Sequence, residues 1–254
     1  MTVTFLGTGT SCGVPMPTCR CEVCTSADPR DNRLRCSCLV ETADGQNILI
    51  DCGPDFRLQA LRAGIRRLDA LLVTHNHFDH VAGLDDLRAF CFEKPLATYC
   101  DPIVTRNFIE KYDYIFVHRY PGTPKMDLHE LQGDEELLIG QCPVRPVRLK
   151  HGKLPIFGWR IGRLAYLTDC TEIVEGEWEK LANVDTLIID ALRWTEHPTH
   201  YTVEQALEVV ARIRPRQTYF THMSHDIGLH VVANGKLPAG VELAYDGLVV
   251  TIPD

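Results

Sequence analysis

Short apolar runs that end in an ionisable side chain recur along the chain. LDALLV is followed by Thr74 and His75, RLAYLTD ends at Asp169, VDTLIID ends at Asp190 and QTYFTH ends at His222. Runs of this length and composition are typical of buried strands. Because functional groups gather where the carboxyl ends of parallel strands meet, the pattern predicts a site at one edge of a sheet.

Turn and cap signals separate these runs into strands and helices. Asp44 and Gly45 lie between two strand-like runs, which is a hairpin signal. A helix is predicted over about 55–63. Thr202 and Gln205 have the spacing of a capping box in front of a second apolar-periodic helix. Alternation of strands and helices predicts an α/β fold.

Composition limits the class of protein. The chain has 254 residues, of which 45% are hydrophobic and 24% charged, and it is expected to form one domain over residues 1–254. No stretch approaches the ~20 apolar residues of a membrane span, and the N-terminus lacks a signal-peptide pattern, so a cytoplasmic protein is expected. A net charge of −8 argues against a nucleic-acid polymer as partner.

The segment VTHNHFDH concentrates metal-binding side chains. In an extended segment His75 and His77 project to one side, and Asp79 and His80 follow on a turn, so one loop can serve two metal ions. Packing alone gives no reason for such a cluster at a strand end. Two ions need further ligands from elsewhere in the chain, and the candidates are His151, Asp169 and His222.

A second cluster lies in the motif CRCEVC, in a loop at about 18–25. The spacing brings the thiolates of Cys19, Cys21 and Cys24 around one point, and a tetrahedral structural zinc then needs one more ligand. His225 is the best candidate because it lies three residues after the strand-end histidine. The alternative is a set of reduced thiols on an exposed loop, which would be prone to oxidation.

These motifs resemble a known family. HNHFDH matches the HxHxDH signature of the metallo-β-lactamase superfamily, and His151, Asp169 and His222 follow in the order of its later ligand motifs. The resemblance extends from FLGTGTSCGVP at 5–15 to AYDGLVVTI near the end of the chain. CRCEVC, THMSHD and HPTHYT make it strongest for the PhnP-type phosphodiesterases, which are cyclic-phosphate hydrolases. The resemblance implies an αββα sandwich with a dinuclear site at one edge.

The same resemblance implies two divalent ions, zinc or manganese, and a structural zinc held by CRCEVC and His225. The ligands of the first active-site ion would be His75, His77 and His151. The ligands of the second would be Asp79, His80 and His222. Asp169 would bridge the ions, and a water between them would supply hydroxide near neutral pH.

Further roles follow from the resemblance. His200 matches the family's non-ligand catalytic histidine, which would protonate the leaving oxygen. Asp79, a predicted metal ligand, is also predicted to be catalytic. His197 is the nearby alternative for the role of proton donor. The competing interpretation of either histidine is an ordinary surface residue. Asp51 resembles the aspartate that orients a ligand histidine through its other ring nitrogen. A turn-forming aspartate is the competing interpretation of Asp51.

The predicted function is a metal-dependent phosphodiesterase acting on small, cyclic phosphate esters. A tRNA 3′-processing endonuclease shares the LGTGT opening, but this sequence has no basic, glycine-rich insertion for tRNA. A thioester or lactone hydrolase would use the same metals on a carbonyl. A non-catalytic metal-binding module is the alternative from another class. The loop at 118–130 is a possible contact of a homodimer.

Overall fold

Two mixed β-sheets form the centre of the protein in a computed structural model that describes residues 1–118 and 120–253. The strands of the first sheet are β1 (Thr2–Gly7), β2 (Ser37–Glu41), β3 (Asn47–Ile50), β4 (Ala70–Leu72), β5 (Leu96–Cys100) and β6 (Met126–Glu130). The strands of the second are β7 (Leu137–Ile139), β8 (Cys142–His151), β9 (Leu154–Ile161), β10 (Leu164–Leu167), β11 (Glu172–Ile173), β12 (Thr186–Asp190), β13 (Gln217–Thr221) and β14 (Val241–Leu243). The last strand, β15 (Val249–Thr251), returns to the first sheet beside β1.

The order of strands is β15-β1-β2-β3-β4-β5-β6 in the first sheet and β11-β8-β9-β10-β12-β13-β14 in the second, where β7 also pairs with β8. The α-helices are α1 (Phe56–Ala63), α2 (Phe78–Val81), α3 (Pro102–Lys111), α4 (Asp113–Phe116), α5 (Val203–Ile213) and α6 (His230–Asn234). Short 3₁₀ turns cover Pro29–Asp31, Leu84–Phe90, Glu177–Leu181 and His225–Ile227.

Successive side chains of the strands are buried on opposite faces. On β3, Ile48 and Ile50 pack with Trp159 in the core between the sheets, whereas Leu49 packs with Phe56 of α1 in the outer core. Because both faces of these strands are buried, their sequences are continuous apolar runs. The layers are helix, sheet, sheet and helix, so the predicted αββα sandwich is confirmed.

Helix α5 covers the second sheet through its apolar stripe, where Ala206 packs in the same core as Phe220 of β13. The predicted capping box is present: the backbone N–H of Gln205 donates to Thr202 Oγ1 at 3.2 Å, and the N–H of Thr202 donates to Gln205 Oε1 at 2.9 Å. These two bonds fix the start of α5 and therefore the path of the loop that precedes it.

The other local predictions agree with the structure except in the loop at 118–130. The hairpin between β2 and β3 turns at Gly45, which has φ 80°, and α1 begins one residue later than predicted. The last five residues of the 118–130 segment form β6, and Arg119 lies outside the described residues.

Across residues 1–118 and 120–253, none of the helices has the length and apolar character needed to cross a bilayer.

Candidate metal centre

The carboxyl ends of parallel strands from both sheets meet at one edge. β3 runs parallel to β4, and β12 runs parallel to both β10 and β13. Asp51 follows β3, His75 lies just beyond β4, Asp190 ends β12, and Asp169 and His222 lie just beyond β10 and β13. His75 Nε2 lies 3.7 Å from Asp169 Oδ2, so the two sheets share this site, as the strand-end pattern predicts.

Three of these residues have an unusual backbone conformation. The φ angles of Asp51, Asp169 and His222 are 59°, 53° and 57°, in the left-handed region that side chains other than glycine rarely adopt. Such a conformation costs about 1–3 kcal/mol per residue and persists at sites where the surroundings enforce it. Each turn comes directly after a strand, so the chain reverses there while the side chain remains in the cluster.

The helix that carries Asp79 and His80 is held by backbone contacts. Cys52 N–H donates to the carbonyl of His80 at 2.7 Å, and Gly83 N–H donates to the carbonyl of Cys52 at 2.8 Å. Gly53 lies so close to α2 that a Cβ added there would collide with the carbonyl oxygen of Asp79. The absence of a side chain at Gly53 therefore allows the close approach that places Asp79 and His80.

The predicted ligands form two compact sets. Ring nitrogens of His75, His77 and His151 lie within 4.8 Å of one another. The second set comprises Asp79, His80 and His222, in which Asp79 Oδ2 lies 3.3 Å from His80 Nε2 and 3.4 Å from His222 Nε2. The structure thus brings together the side chains that the sequence assigns to two ions.

Asp169 lies between the sets. Its Oδ2 is 2.6 Å from His80 Nε2, and its Oδ1 is 3.0 Å from His222 Nε2. Burial acts to raise the pKa of Asp169, but the nearby charges of His222 and His80 outweigh it and hold the pKa well below its usual range. A buried, ionised carboxylate in contact with both sets is suited to a bridging position.

The donor atoms fit a cation better than they fit one another. His75 Nε2, His80 Nε2 and Asp169 Oδ2 are buried and make no hydrogen bond to any described residue. Such atoms are costly unless something else satisfies them. Burial lowers the pKa of His75 well below its usual value and so favours its neutral imidazole, whereas the carboxylates of Asp169 and Asp79 outweigh burial and raise the pKa of His80, as negative charges around a cation site do. Nitrogen and carboxylate donors of this kind suit zinc, manganese or iron.

Asp51 contacts the outward side of a predicted ligand. Its Oδ2 lies 2.7 Å from His80 Nδ1, and its two oxygens accept the N–H and the hydroxyl of Thr74, each at 2.8 Å. Thr74 Oγ1 lies 3.0 Å from His75 Nδ1. These contacts direct Nε2 of His75 and His80 toward the cluster. Asp51 therefore has the geometry of an orienting residue as well as that of a turn.

Sequence reasoning missed two of these supporting contacts. No motif in the sequence marks Thr74, although it lies between the strand end and His75. The carbonyl oxygen of Thr199 lies 2.7 Å from His151 Nδ1 and fixes that ring in the same way. A backbone carbonyl leaves no signal in the residue type, so the contact of Thr199 could not be predicted from the sequence.

His200 lies against the cluster and is only 9% exposed. Its Nδ1 lies 3.3 Å from Asp190 Oδ2 and 3.3 Å from Asp169 Oδ1. Asp190 is fully buried, and its Oδ1 accepts the backbone N–H of Cys170 at 3.0 Å. The ring of His197 lies 5.0 Å from that of His200 and is more exposed. Asp190, which the sequence placed only at a strand end, is thus the partner of His200.

The cysteine loop and His225 meet as the sequence predicts. The sulfur atoms of Cys19, Cys21 and Cys24 lie 3.3, 3.3 and 3.4 Å from His225 Nδ1. Bond lengths of zinc to sulfur and nitrogen give a tetrahedral edge of about 3.5 Å. The backbone N–H of Cys24, together with His225, lowers the pKa of Cys21 to about 6, whereas burial raises that of Cys24 to about 11. The four donors have the geometry of a structural zinc site.

Two face-to-face sheets with a His-Asp cluster at the shared edge define a metallo-β-lactamase fold. Residues 46–223 match the β-lactamase superfamily domain, and the chain belongs to that superfamily. Its structure is similar to the crystal structure of a diphosphatase from the PhnP family, with 40% sequence identity and a TM-score of 0.92 over 99% of this chain and 98% of the other. The predicted membership of the PhnP family is therefore confirmed.

Two further relatives are informative. The chain is 44% identical over 252 residues to an octanoyltransferase of Porphyromonas gingivalis, covering 98% of this chain and 51% of that protein. The chain thus spans about half the length of this relative. The zinc-bound PqqB of Methylobacterium extorquens has the same fold, with a TM-score of 0.78 at 21% identity over 99% of this chain and 100% of PqqB.

Proposed function

We propose that this protein is a metal-dependent phosphodiesterase that hydrolyses small phosphate esters, cyclic esters among them. The observation that carries the proposal is the buried pair of His200 and Asp190 beside a complete set of predicted metal ligands. A phosphate ester needs both an activated water and a proton for its leaving oxygen, and this arrangement offers groups for each task. The similarity to a PhnP-family diphosphatase supports the same class of substrate.

The metal ligands are assigned as the geometry groups them. One ion would be held by His75, His77 and His151, and the other by Asp79, His80 and His222, with Asp169 shared. Zinc or manganese bound there supplies Lewis acidity, which lowers the pKa of water and polarises the phosphoryl oxygens. A third ion, zinc, would be held by the cysteine loop and His225 for a structural purpose.

The protein's own groups then direct the proton. The Asp190 carboxylate accepts a hydrogen bond from His200 Nδ1 and fixes the ring, which leaves Nε2 to face a bound ester. As water adds to phosphorus and the bond to the leaving oxygen breaks, Nε2 donates its proton to that oxygen. Asp169, which is also close to Nδ1, keeps the ring next to the reacting centre.

An acyl substrate is the second candidate. The observation that favours it is the 44% identity to a protein named octanoyltransferase, of which this chain spans about half. A centre that activates water for attack on phosphorus also activates it for attack on the carbonyl of a thioester. The two candidates therefore differ in substrate and share the metal ligands.

A substrate panel separates the candidates. Purified protein at one fixed metal loading is incubated with bis(p-nitrophenyl) phosphate, 2′,3′-cyclic AMP, an octanoyl thioester and a precursor tRNA. We expect the two phosphodiesters to be hydrolysed with kcat/KM at least about a hundred-fold above that for the thioester and the tRNA. Preferred cleavage of the thioester would replace the proposal with its second candidate, and preferred cleavage of the tRNA would identify an endonuclease.

The role of His200 is tested by the leaving group. General acid catalysis contributes about 10²–10⁴-fold when the leaving alkoxide is a poor one, and little when it is p-nitrophenolate. His200→Ala should therefore slow 2′,3′-cyclic AMP hydrolysis by an amount in that range and bis(p-nitrophenyl) phosphate hydrolysis far less, with metal content unchanged.

Two comparisons complete that experiment. His129→Ala removes a half-buried histidine of β6 that lies outside the metal centre, and it serves as the control, which should behave as wild type. His197→Ala should leave the ratio of the two rates unchanged. Equal losses on both substrates in His200→Ala, together with lost metal, would instead identify His200 as a ligand in the group of His151 and Asp169.

A further inference from the structure

Cys36 carries a buried thiol that the proposed chemistry does not use. It lies directly before β2 of the first sheet, has no exposed surface, and packs in the core between the two sheets. Its Sγ lies 3.1 Å from Tyr166 Oη and 3.1 Å from Thr221 Oγ1, and Thr168 Oγ1 donates to it at a longer 3.8 Å. These three residues lie on or just beyond strands of the second sheet, so one thiol joins the two sheets by hydrogen bonds.

The three hydroxyl groups depend on this thiol. Tyr166, Thr168 and Thr221 are fully buried, and none of their hydroxyls has another hydrogen-bond partner among residues 1–118 and 120–253. A buried hydroxyl without a partner costs free energy, because it has given up its hydrogen bonds with water. The position of Cys36 therefore constrains the positions of all three residues.

Two of these partners directly precede predicted ligands of the metal centre. Thr168 is followed by Asp169, and Thr221 is followed by His222. Asp169 and His222 have the left-handed φ angles of 53° and 57° described above. Such a backbone conformation persists only where its surroundings enforce it, and a hydrogen bond that holds the preceding residue does so.

Ser37 makes the corresponding contact with the third left-handed turn of the centre. Its Oγ donates to the carbonyl oxygens of Ile50 and Asp51, each at 3.0 Å, and the φ angle of Asp51 is 59°. Asp51 in turn contacts the ring of His80. The adjacent residues Cys36 and Ser37 thus contact the chain at all three turns.

We propose that Cys36 is a positioning residue of the metal centre, whose thiol holds the turns of Asp169 and His222 in the conformation that presents both side chains to the predicted ions. Ser37 does the same for the turn of Asp51. The inference rests on the ligand assignment in the proposed function. Cys36 is not among the grouped donor atoms of the centre, so it acts through the ligands.

Cys36→Ala and Cys38→Ala form a matched pair of variants. Cys38 is fully buried in the same core, two residues further along the chain, and its thiol makes no hydrogen bond to any described residue. Both changes remove one buried thiol and should lower Tm to a similar extent. In zinc competition with a chromophoric chelator, affinity at the active centre should fall about 10- to 100-fold in Cys36→Ala and stay near wild type in Cys38→Ala. Cys36→Ser, whose hydroxyl can form the same hydrogen bonds, should recover part of the loss.

A second pair tests the same contact from the other sheet and creates no cavity. Thr221→Val and Thr218→Val each replace a buried hydroxyl of β13 with a methyl group, and Thr218 Oγ1 has no hydrogen-bond partner among the described residues. Only Thr221→Val should lower zinc affinity at the active centre, by about 3- to 10-fold. Adding it to Cys36→Ala should change the affinity little further, because both variants remove the same contact. This pair decides the question even if Cys36→Ala fails to fold.

Elemental analysis should find the zinc of the cysteine loop retained in every variant. Equal zinc affinity at the active centre in Cys36→Ala and Cys38→Ala, or in Thr221→Val and Thr218→Val, would overturn the inference. A Cys36→Ser variant that recovers nothing would also overturn it. A wild type that binds zinc at the active centre but hydrolyses no phosphodiester would refute the proposed function alone, because the zinc affinities of the variants would still decide the role of Cys36.

Discussion

Replacing Asp51 with asparagine should weaken metal binding at the active centre while the protein remains folded. Asp51 is fully buried and accepts three hydrogen bonds, from Thr74 N–H, the Thr74 hydroxyl and His80 Nδ1, at 2.8, 2.8 and 2.7 Å. The asparagine side chain has the same shape, its oxygen can still accept the Thr74 N–H, and the Thr74 hydroxyl can rotate to accept from the amide N–H. Its amide N–H, however, would face the Nδ1–H of His80, so the ring would lose its acceptor.

The size of the effect follows from that one bond. A hydrogen bond to a charged group contributes about 1.5–3 kcal/mol, and about 1.4 kcal/mol corresponds to a factor of ten in affinity. The expected loss in affinity is therefore about 10- to 100-fold, which is the range typical for losing a residue that orients a metal-bound histidine. Activity at saturating metal should recover in part, because Asp51 does not contact the substrate in this account.

The assay is a competition between the protein and a chromophoric chelator for zinc, with circular dichroism as a check of folding. Asp44→Asn is the matched control, because Asp44 lies on the exposed hairpin at the other end of β3 and accepts only from Thr42 Oγ1 and Gln141 N–H among the bonds described. Wild-type zinc affinity in Asp51→Asn would mean that Asp51 only forms a turn and that the ring of His80 is oriented by other contacts.

Three further predictions follow from the same geometry. Asp169→Ala should abolish turnover and leave less than about one ion at the active centre by elemental analysis, and near-normal turnover would refute a shared ligand. Cys19→Ser should remove roughly one zinc per chain and lower Tm by at least about 5 °C in calorimetry, and an unchanged zinc content would exclude the structural site. Asp190→Asn should reproduce the leaving-group dependence of His200→Ala and add nothing to it in the double variant, whereas additive losses would separate the two residues.

The ligand sets could be predicted because their residue types are informative and their positions follow a simple rule. His75 and His77 come shortly after an apolar strand, and Asp169 and His222 come after others, so parallel pairing alone brings their chain segments to one edge. The cysteine spacing was informative in the same way, because three thiolates on one short loop suit a single tetrahedral ion. In both cases local spacing carried most of the geometry.

Contacts that depend on the packing of distant segments could not be predicted. Asp190 had the same strand-end position as Asp169, but only the loop before α5 decides that it contacts His200. Nothing in the sequence indicates that Asp51 and Asp169 adopt left-handed backbone conformations, since aspartate occurs in many others. The zinc ligand His225 likewise meets the cysteine loop only because two distant segments of the chain come together in the fold.

A metal titration of hydrolysis tests whether ions bound at the His-Asp cluster drive phosphodiester cleavage. Metal-free protein is given zinc or manganese in steps, and the products formed from 2′,3′-cyclic AMP are quantified at each step alongside the bound metal. We predict no turnover in metal-free protein, and then a rise that saturates at about two ions per chain beyond the zinc held by the cysteine loop. Full turnover in metal-free protein, or no phosphodiester cleavage at any metal loading, would contradict it.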